Sequence, residues 1–303
     1  MILKGRDYMK LKRSTVADLA LLSVAVIWGG GFIVTKNALD HIGPYYLLFF
    51  RFAIAALILG AILFKKVRSA TKKDIKAGMI IGVFLFAGFA TQTFGLQYSE
   101  AGKVAFITAA NVVMVPFIYW AISKKVPDKF DLIAAFMCFV GIGILSFNRD
   151  FSINIGDLLT LICAVMYASQ IAAIGYFAKE SDPYVLAVVQ MATAAALSLV
   201  FALTFEGTDF NLKANTVMPI LYMALLGTMF AFLIQTVAQK YTSSTHTAII
   251  LSLESVFGST LAIIILKEAL TTKYFIGSLA ILFSVITSET KWSFLKPKDE
   301  INA

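Results

Sequence analysis

Residues 16–34 read VADLALLSVAVIWGGGFIV, an apolar run with the single charge Asp18, preceded by the basic cluster Lys4, Arg6, Lys10, Lys12 and Arg13. A secretory signal also opens with positive charge and an apolar run. Its apolar region, however, is only about 7–15 residues long and ends at a small-residue cleavage site. This run is longer, no such site follows, and many further apolar segments do. It reads as an uncleaved first membrane span. The rest of the chain agrees: of 303 residues 59% are hydrophobic and 15% charged, with a mean hydropathy of +0.82, beyond what a water-soluble fold buries.

Working outward from that run, a helix rising 1.5 Å per residue needs about twenty residues to cross roughly 30 Å of hydrocarbon. Runs of that length fall at 18–36, 44–64, 75–98, 104–123 and 130–147, and again at 156–177, 183–205, 216–241, 245–266 and 272–290. None shows the alternating pattern of a membrane β-barrel. The expected fold is an all-α membrane protein of ten transmembrane helices.

The basic residues give its orientation, because cytoplasmic loops hold the excess of Lys and Arg. One side collects the N-terminal cluster, Lys65, Lys66, Arg68, Lys72, Lys73, Lys76, Lys124, Lys125, Lys129, Lys179, Lys240, Lys291, Lys296 and Lys298. The other holds Lys103, Arg149, Lys213, Lys267 and Lys273. Both termini are therefore expected in the cytoplasm, which suits an even number of spans and a bacterial inner membrane. The net charge of +8 is explained by this asymmetry, and no single basic stripe suggests nucleic acid. Cys138 and Cys163 lie within apolar runs and read as small core residues, with no disulfide framework, zinc site or cofactor implied.

The chain repeats itself. A shift of 139 residues places Ala17-Asp18-Leu19 on Gly156-Asp157-Leu158, Trp28 on Tyr167 and Pro44-Tyr45 on Pro183-Tyr184. A shift of 143 places Gln92-Thr93 on Gln235-Thr236, Tyr98-Ser99 on Tyr241-Thr242, Asn111 on Glu254 and Lys124 on Lys267. Two units follow, 17–148 and 156–290, each of five expected spans. An odd number of spans turns the second unit upside down. Inverted repeats are a recurrent architecture of secondary transporters, with the site near the midplane between the halves.

Polar residues in mid-span nominate that site. Trp28, Asn111, Tyr167 and Glu254 fall near the midplane, with Gln92 and Gln235 above and below it and Gln170 close by. An acid at the bilayer centre is expensive and faces a cavity or a partner. Glu254 either contacts a substrate amine or carries a coupling proton, unless it merely ties helices together. Arg51 and Lys36 lie further out. Arg51 either captures a carboxylate or phosphate or ties span two to a neighbour, and Lys36 either does the same or reaches the outer headgroups. Trp28 and Tyr167 need internal partners for N–H and O–H whether they line a cavity or pack in a core. The amides of Gln92, Asn111, Gln170 and Gln235 can bond a ligand or another helix. Pro116 is expected to interrupt span four, and Gly29-Gly30-Gly31 to loosen span one or pack it closely. Gly78 with Gly82, and Ala164 with Ala168 and Ala172, read as helix-packing stripes. His246, at the start of span nine, reads as exposed.

Trp28-Gly29-Gly30-Gly31-Phe32, followed by Lys36, Pro44 and Arg51-Phe52, resembles the opening segment of the ten-span EamA-type transporters of the drug/metabolite transporter superfamily. Leu253-Glu254-Ser255-Val256-Phe257, then Lys267-Glu268-Ala269-Leu270 and Gly277, is similar to their closing segment. The resemblance covers nearly the whole chain. It implies a central cavity, alternating access, and export or exchange of amino acids and other small metabolites; proton antiport or counter-solute exchange would both suit one buried acid and a polar cavity. Two features depart from the pattern: Ser255 stands where Pro often follows the span-nine Glu, and Lys124-Lys125 lacks the acid found in Lys267-Glu268.

An intramembrane enzyme is the main rival from another class. No His-Glu-x-x-His, Gly-x-Ser-x-Gly or phosphate-binding loop is present, and the two histidines, His41 and His246, sit at span ends. A passive channel or a structural subunit of a membrane complex needs no motif. The inverted repeat favours a carrier over both.

Overall fold

The computed structural model describes residues 2–124, 126–146, 154–207, 214–242 and 244–291, and among them there is no strand. The helices are α1 (Ile2–Ala38), α2 (Pro44–Ile62), α3 (Phe64–Arg68), α4 (Lys72–Tyr98), α5 (Ala101–Ala109), α6 (Asn111–Ser123) and α7 (Lys129–Ser146). They continue as α8 (Ile155–Phe177), α9 (Pro183–Phe205), α10 (Ala214–Ala224), α11 (Ala231–Ala238), α12 (Ser244–Ile265) and α13 (Thr272–Thr290), with a π-helical turn, Leu225–Phe230, between α10 and α11.

Seven segments among the described residues are long and apolar enough to cross a membrane: Val16–Ala38, Pro44–Ile62, Lys72–Tyr98, Ala101–Ile122, Ile155–Phe177, Pro183–Phe205 and Thr216–Ala238. The other three expected spans fall on α7, whose first turn carries Lys129 and Asp131, and on two shorter apolar helices, Ile250–Ile265 and Thr272–Thr287.

Local chemistry explains the helix ends. Prolines 44 and 183 start α2 and α9, where a missing N–H costs nothing. Thr71 and Asp74 form a reciprocal capping box on α4. Glu206 accepts from the N–H groups of Tyr45 (2.7 Å) and Tyr46 (3.0 Å) at the start of α2. Glu268 does the same for Ala101 (2.7 Å) and Gly102 (2.9 Å) at the start of α5. Lys124 and Lys267, partners under the shift of 143, both adopt the left-handed conformation, with φ of 62° and 55°.

Of the two readings of the triple glycine, close packing is the one observed, since α1 runs unbroken. Gly29 lets α12 come close, since a Cβ there would stand 2.6 Å from Phe257 Cβ and 2.9 Å from Gly258 N. Two other sequence expectations are corrected. Span four is interrupted at Ala110, between α5 and α6, and not at Pro116, which lies inside α6. Span eight is not one continuous α-helix, because the π turn interrupts it.

The main packing joins residues before 147 to residues after 153: α1 with α12, α2 with α9, α4 with α8 and α9, α5 with α12, and α7 with α13. Small residues make the approach close, as where Gly82 meets Thr193 and the Gln190 carbonyl. Ala164, Ala168 and Ala172 are fully buried on α8. At one end of the bundle Lys66 pairs with Asp182 (2.9 Å), Lys73 with Glu180 (2.5 Å), and Lys291 with Asp128. At the other end Lys36 Nζ donates to the Ser99 carbonyl (2.7 Å), and Lys103 pairs with buried Asp157 (2.5 Å). Cys138 and Cys163 are buried free thiols.

Candidate functional site

A cavity of about 50 Å³ lies inside the bundle, lined by sixteen residues of α1, α2, α4, α6, α8, α11 and α12. Its wall includes Trp28, Arg51, Gln92, Asn111, Tyr167, Gln170, Gln235 and Glu254. All seven residues nominated as substrate contacts therefore meet at one place, with Arg51. Lys36 does not join them. It faces a separate polar crevice with Ser99, Lys103 and Tyr274.

Most of the polar wall residues are held by specific contacts. Trp28 Nε1 donates to the carbonyl of Gly227 (2.8 Å), and its ring lies 5.0 Å from that of Phe232. Arg51, 4% exposed, donates from Nε to Thr228 Oγ1 (3.0 Å) and lies 4.3 Å over the Phe89 ring, a cation–π contact that partly replaces lost water. Both anchor points, Gly227 and Thr228, belong to the π turn. A π turn is the kind of local rewinding often found at functional sites.

The amides form two short networks. Tyr167 O–H donates to Gln92 Oε1 (3.1 Å), and Gln92 Nε2 donates to Thr108 Oγ1 (3.2 Å). Gln235 Nε2 donates to Gln170 Oε1 (3.4 Å), Gln170 Nε2 to Gln190 Oε1 (3.1 Å), and Gln190 Nε2 to Thr236 Oγ1 (2.9 Å). These bonds fix side chains that would otherwise sample several rotamers, and they leave Gln235 Oε1 buried without a donor among the described residues.

Glu254 differs from all of them. It is 7% exposed, faces the cavity, and has no hydrogen bond or ion pair among the described residues. A buried carboxyl left without a protein partner is costly, so the cavity itself must satisfy it with water, a proton or a ligand. Arg51 and Glu254 form no ion pair with each other, which leaves one cationic and one acidic group available in the same chamber.

The wall is also organised by the repeat. Twelve of its sixteen residues form six pairs under the two shifts: Trp28 with Tyr167, Gly31 with Gln170, Phe32 with Ile171, Phe89 with Phe232, Gln92 with Gln235, and Asn111 with Glu254. Sequence reasoning missed Phe89, Phe232, Gln190 and Thr228. The shifts mark three of these: Phe89 and Phe232 are partners, and Gln190 is the counterpart of Arg51. Nothing in the sequence marks Thr228.

Described residues that are helical throughout their regular structure, with several apolar spans and a partly open, amide-lined chamber, define a multi-pass membrane protein that takes a small molecule. Comparison with known proteins agrees. The model of the EamA-like transporter family matches residues 15–147 and again 154–289. An uncharacterized transporter of Archaeoglobus fulgidus is 38% identical over 89% of this chain and 84% of its own length. The uncharacterized transporter YetK of Bacillus subtilis is 23% identical over 93% and 89%. A solved crystal structure shares the fold, with a TM-score of 0.70 at 14% identity over 93% of this chain and 99% of that one. The chain belongs to the EamA-like transporter family, and it is a membrane transporter.

Proposed function

We propose that this protein is a secondary carrier that exports or exchanges small polar metabolites such as amino acids by alternating access around the central cavity. In this reading the chain crosses the membrane ten times, as two inverted five-helix repeats, 17–148 and 156–290, in a cell inner membrane with both termini cytoplasmic. The observation that carries it is the six-fold pairing of wall residues. Two halves that contribute equivalent positions to one chamber can expose it to either side by the same rocking motion.

Two further observations support the topology. Contacts obey a two-fold pattern: α2 meets its own partner α9, α7 meets α13, and the α1–α12 contact is answered by α8 with α5 and α6. Every end contact described above also joins connections assigned to the same side by the basic residues. Lys66, Lys73, Asp128, Glu180, Asp182 and Lys291 share one end, and Lys36, Ser99, Lys103, Asp157, Glu206 and Glu268 the other.

The chemistry of the chamber suggests the ligand. Arg51 offers a planar donor fork for a carboxylate, Glu254 accepts an ammonium group or a coupling proton, and Trp28, Phe89, Tyr167 and Phe232 cover an apolar side chain. Amides at Gln92, Asn111, Gln170 and Gln235 satisfy whatever polar groups remain. Thermal-shift screening of the purified protein against a metabolite panel tests this reading, since a ligand at 100 times its Kd stabilises the fold by about 2.7 kcal/mol. Amino acids are expected to raise the melting temperature of the wild type and not of Arg51→Gln. A panel in which only uncharged solutes stabilise the protein would overturn the assignment.

A further inference from the structure

The connection after the second apolar span and the first turns of α4 together carry six cations in twelve residues: Lys65, Lys66, Arg68, Lys72, Lys73 and Lys76. Two are engaged, Lys66 with Asp182 and Lys73 with Glu180. Lys65, Arg68, Lys72 and Lys76 are exposed and form no ion pair among the described residues. Lys72 and Lys76 share one exposed face of α4 with Ile75, Met79, Ile80 and Val83, and with Ala70 this face forms a shallow, open surface groove. Met79 and Val83 are about half exposed, at 51% and 48%.

We propose that this groove is a binding site for one anionic phospholipid, its headgroup phosphate held by Lys72 and Lys76 and an acyl chain laid along Ile75, Met79, Ile80 and Val83. The argument is charge complementarity combined with depth. From Lys72 to Val83 the helix rises about 16 Å, close to half the roughly 30 Å hydrocarbon thickness, so cations and apolar floor together match one leaflet. A soluble anion would use the lysines alone. The corresponding positions of the second half under the shift of 143 are Asn215, Thr216 and Pro219 for Lys72, Lys73 and Lys76. The site therefore belongs to the first half only, and the lipid would bias one half of a symmetric carrier against the other.

A juxtamembrane Lys adds about fivefold to the affinity for an anionic surface, so removing two costs about 25-fold. Native mass spectrometry of the purified full chain tests the proposal with phosphatidylglycerol, phosphatidylcholine of the same acyl chains, and glycerol phosphate as separate probes. Wild type is expected to retain phosphatidylglycerol over phosphatidylcholine. The Lys72→Ala/Lys76→Ala variant is expected to lose about 25-fold in phosphatidylglycerol retention, while Lys72→Arg/Lys76→Arg and the distant control Lys240→Ala keep it. Unchanged retention in the double alanine variant, loss in the arginine variant or equal loss in Lys240→Ala would overturn the proposal. So would glycerol phosphate competing as well as the intact lipid, which would mark an anion site without the groove.

Discussion

At Glu254 the protein keeps an acid at a place where acid is expensive and gives it no hydrogen-bond or ion-pair partner among the described residues. Core packing explains an apolar side chain there equally well and a carboxyl poorly, so its chemistry is its reason. Glu254→Gln preserves the shape and removes the charge. Loss of a charged hydrogen bond costs about 1.5–3 kcal/mol, or about ten- to a hundredfold, and transport is expected to fall by that factor and lose its pH dependence, with melting little changed. A variant matching wild type in rate and pH profile would remove both proposed roles. Gly29 makes the opposite kind of prediction: Gly29→Val forces atoms against Phe257 and the Gly258 backbone and is expected to cost about 1–3 kcal/mol or more, read as lowered thermal stability. Polarity inside apolar runs made Glu254, Asn111 and the glutamines legible from the sequence. Phe89 and Phe232 were not, because they stand among 26 phenylalanines and only the cavity distinguishes them. Lys36, read as lying further out, faces a separate polar crevice and not the chamber.

Among the elements, the π turn has the largest consequence for the site. By rewinding span eight it presents the Gly227 carbonyl to Trp28 and the Thr228 hydroxyl to Arg51. Thr228→Val keeps the volume and deletes the acceptor, so a buried guanidinium loses a bond worth about 1.5–3 kcal/mol. Lower thermal stability and a raised KM for carboxylate substrates are expected, with Thr228→Ser restoring both. An unchanged KM would show that this bond does not position Arg51. Such a turn leaves no trace in composition or period, which is why the apolar spans were legible and the breaks at Ala110 and Leu225–Phe230 were not. A second element prediction concerns Asp128, in the connection before α7. Burial alone would raise its carboxyl, but hydrogen bonds from Lys291 and from the Asp131 and Phe130 N–H groups outweigh this and hold it below its ordinary 3.8. The stability it adds is therefore present above the ordinary carboxylate range and lost as pH falls through the lowered value. Protection against hydrogen exchange at the end of α13, after division by the intrinsic exchange rate at each pH, is expected to stay constant from neutral pH to about pH 5 and to fall below that range. In Asp128→Asn the protection should be lower and flat with pH.

For the whole molecule, the repeat legible in the sequence and the six pairs in the chamber wall describe the same relation at two levels. Shifts of 139 and 143 were found from conspicuous residues such as Trp28, Pro44 and Gln92, and they then matched bland ones, Phe32 with Ile171 among them, that only the cavity brings to notice. An even number of crossings puts both ends on one side. Lys4→Cys and Lys298→Cys, labelled with an impermeant thiol reagent in a Cys138→Ser/Cys163→Ser background, are expected to react from the same face of the membrane, and reaction from opposite faces would break the ten-span reading. The central claim is that the chamber opens to the two sides in turn and never to both. Counterflow in proteoliposomes tests it directly: vesicles preloaded with an unlabelled amino acid that stabilises the protein should transiently accumulate the labelled one above its external concentration, with saturation, and Glu254→Gln should not. A linear, unsaturable flux with no overshoot would contradict the account and make the cavity part of a channel.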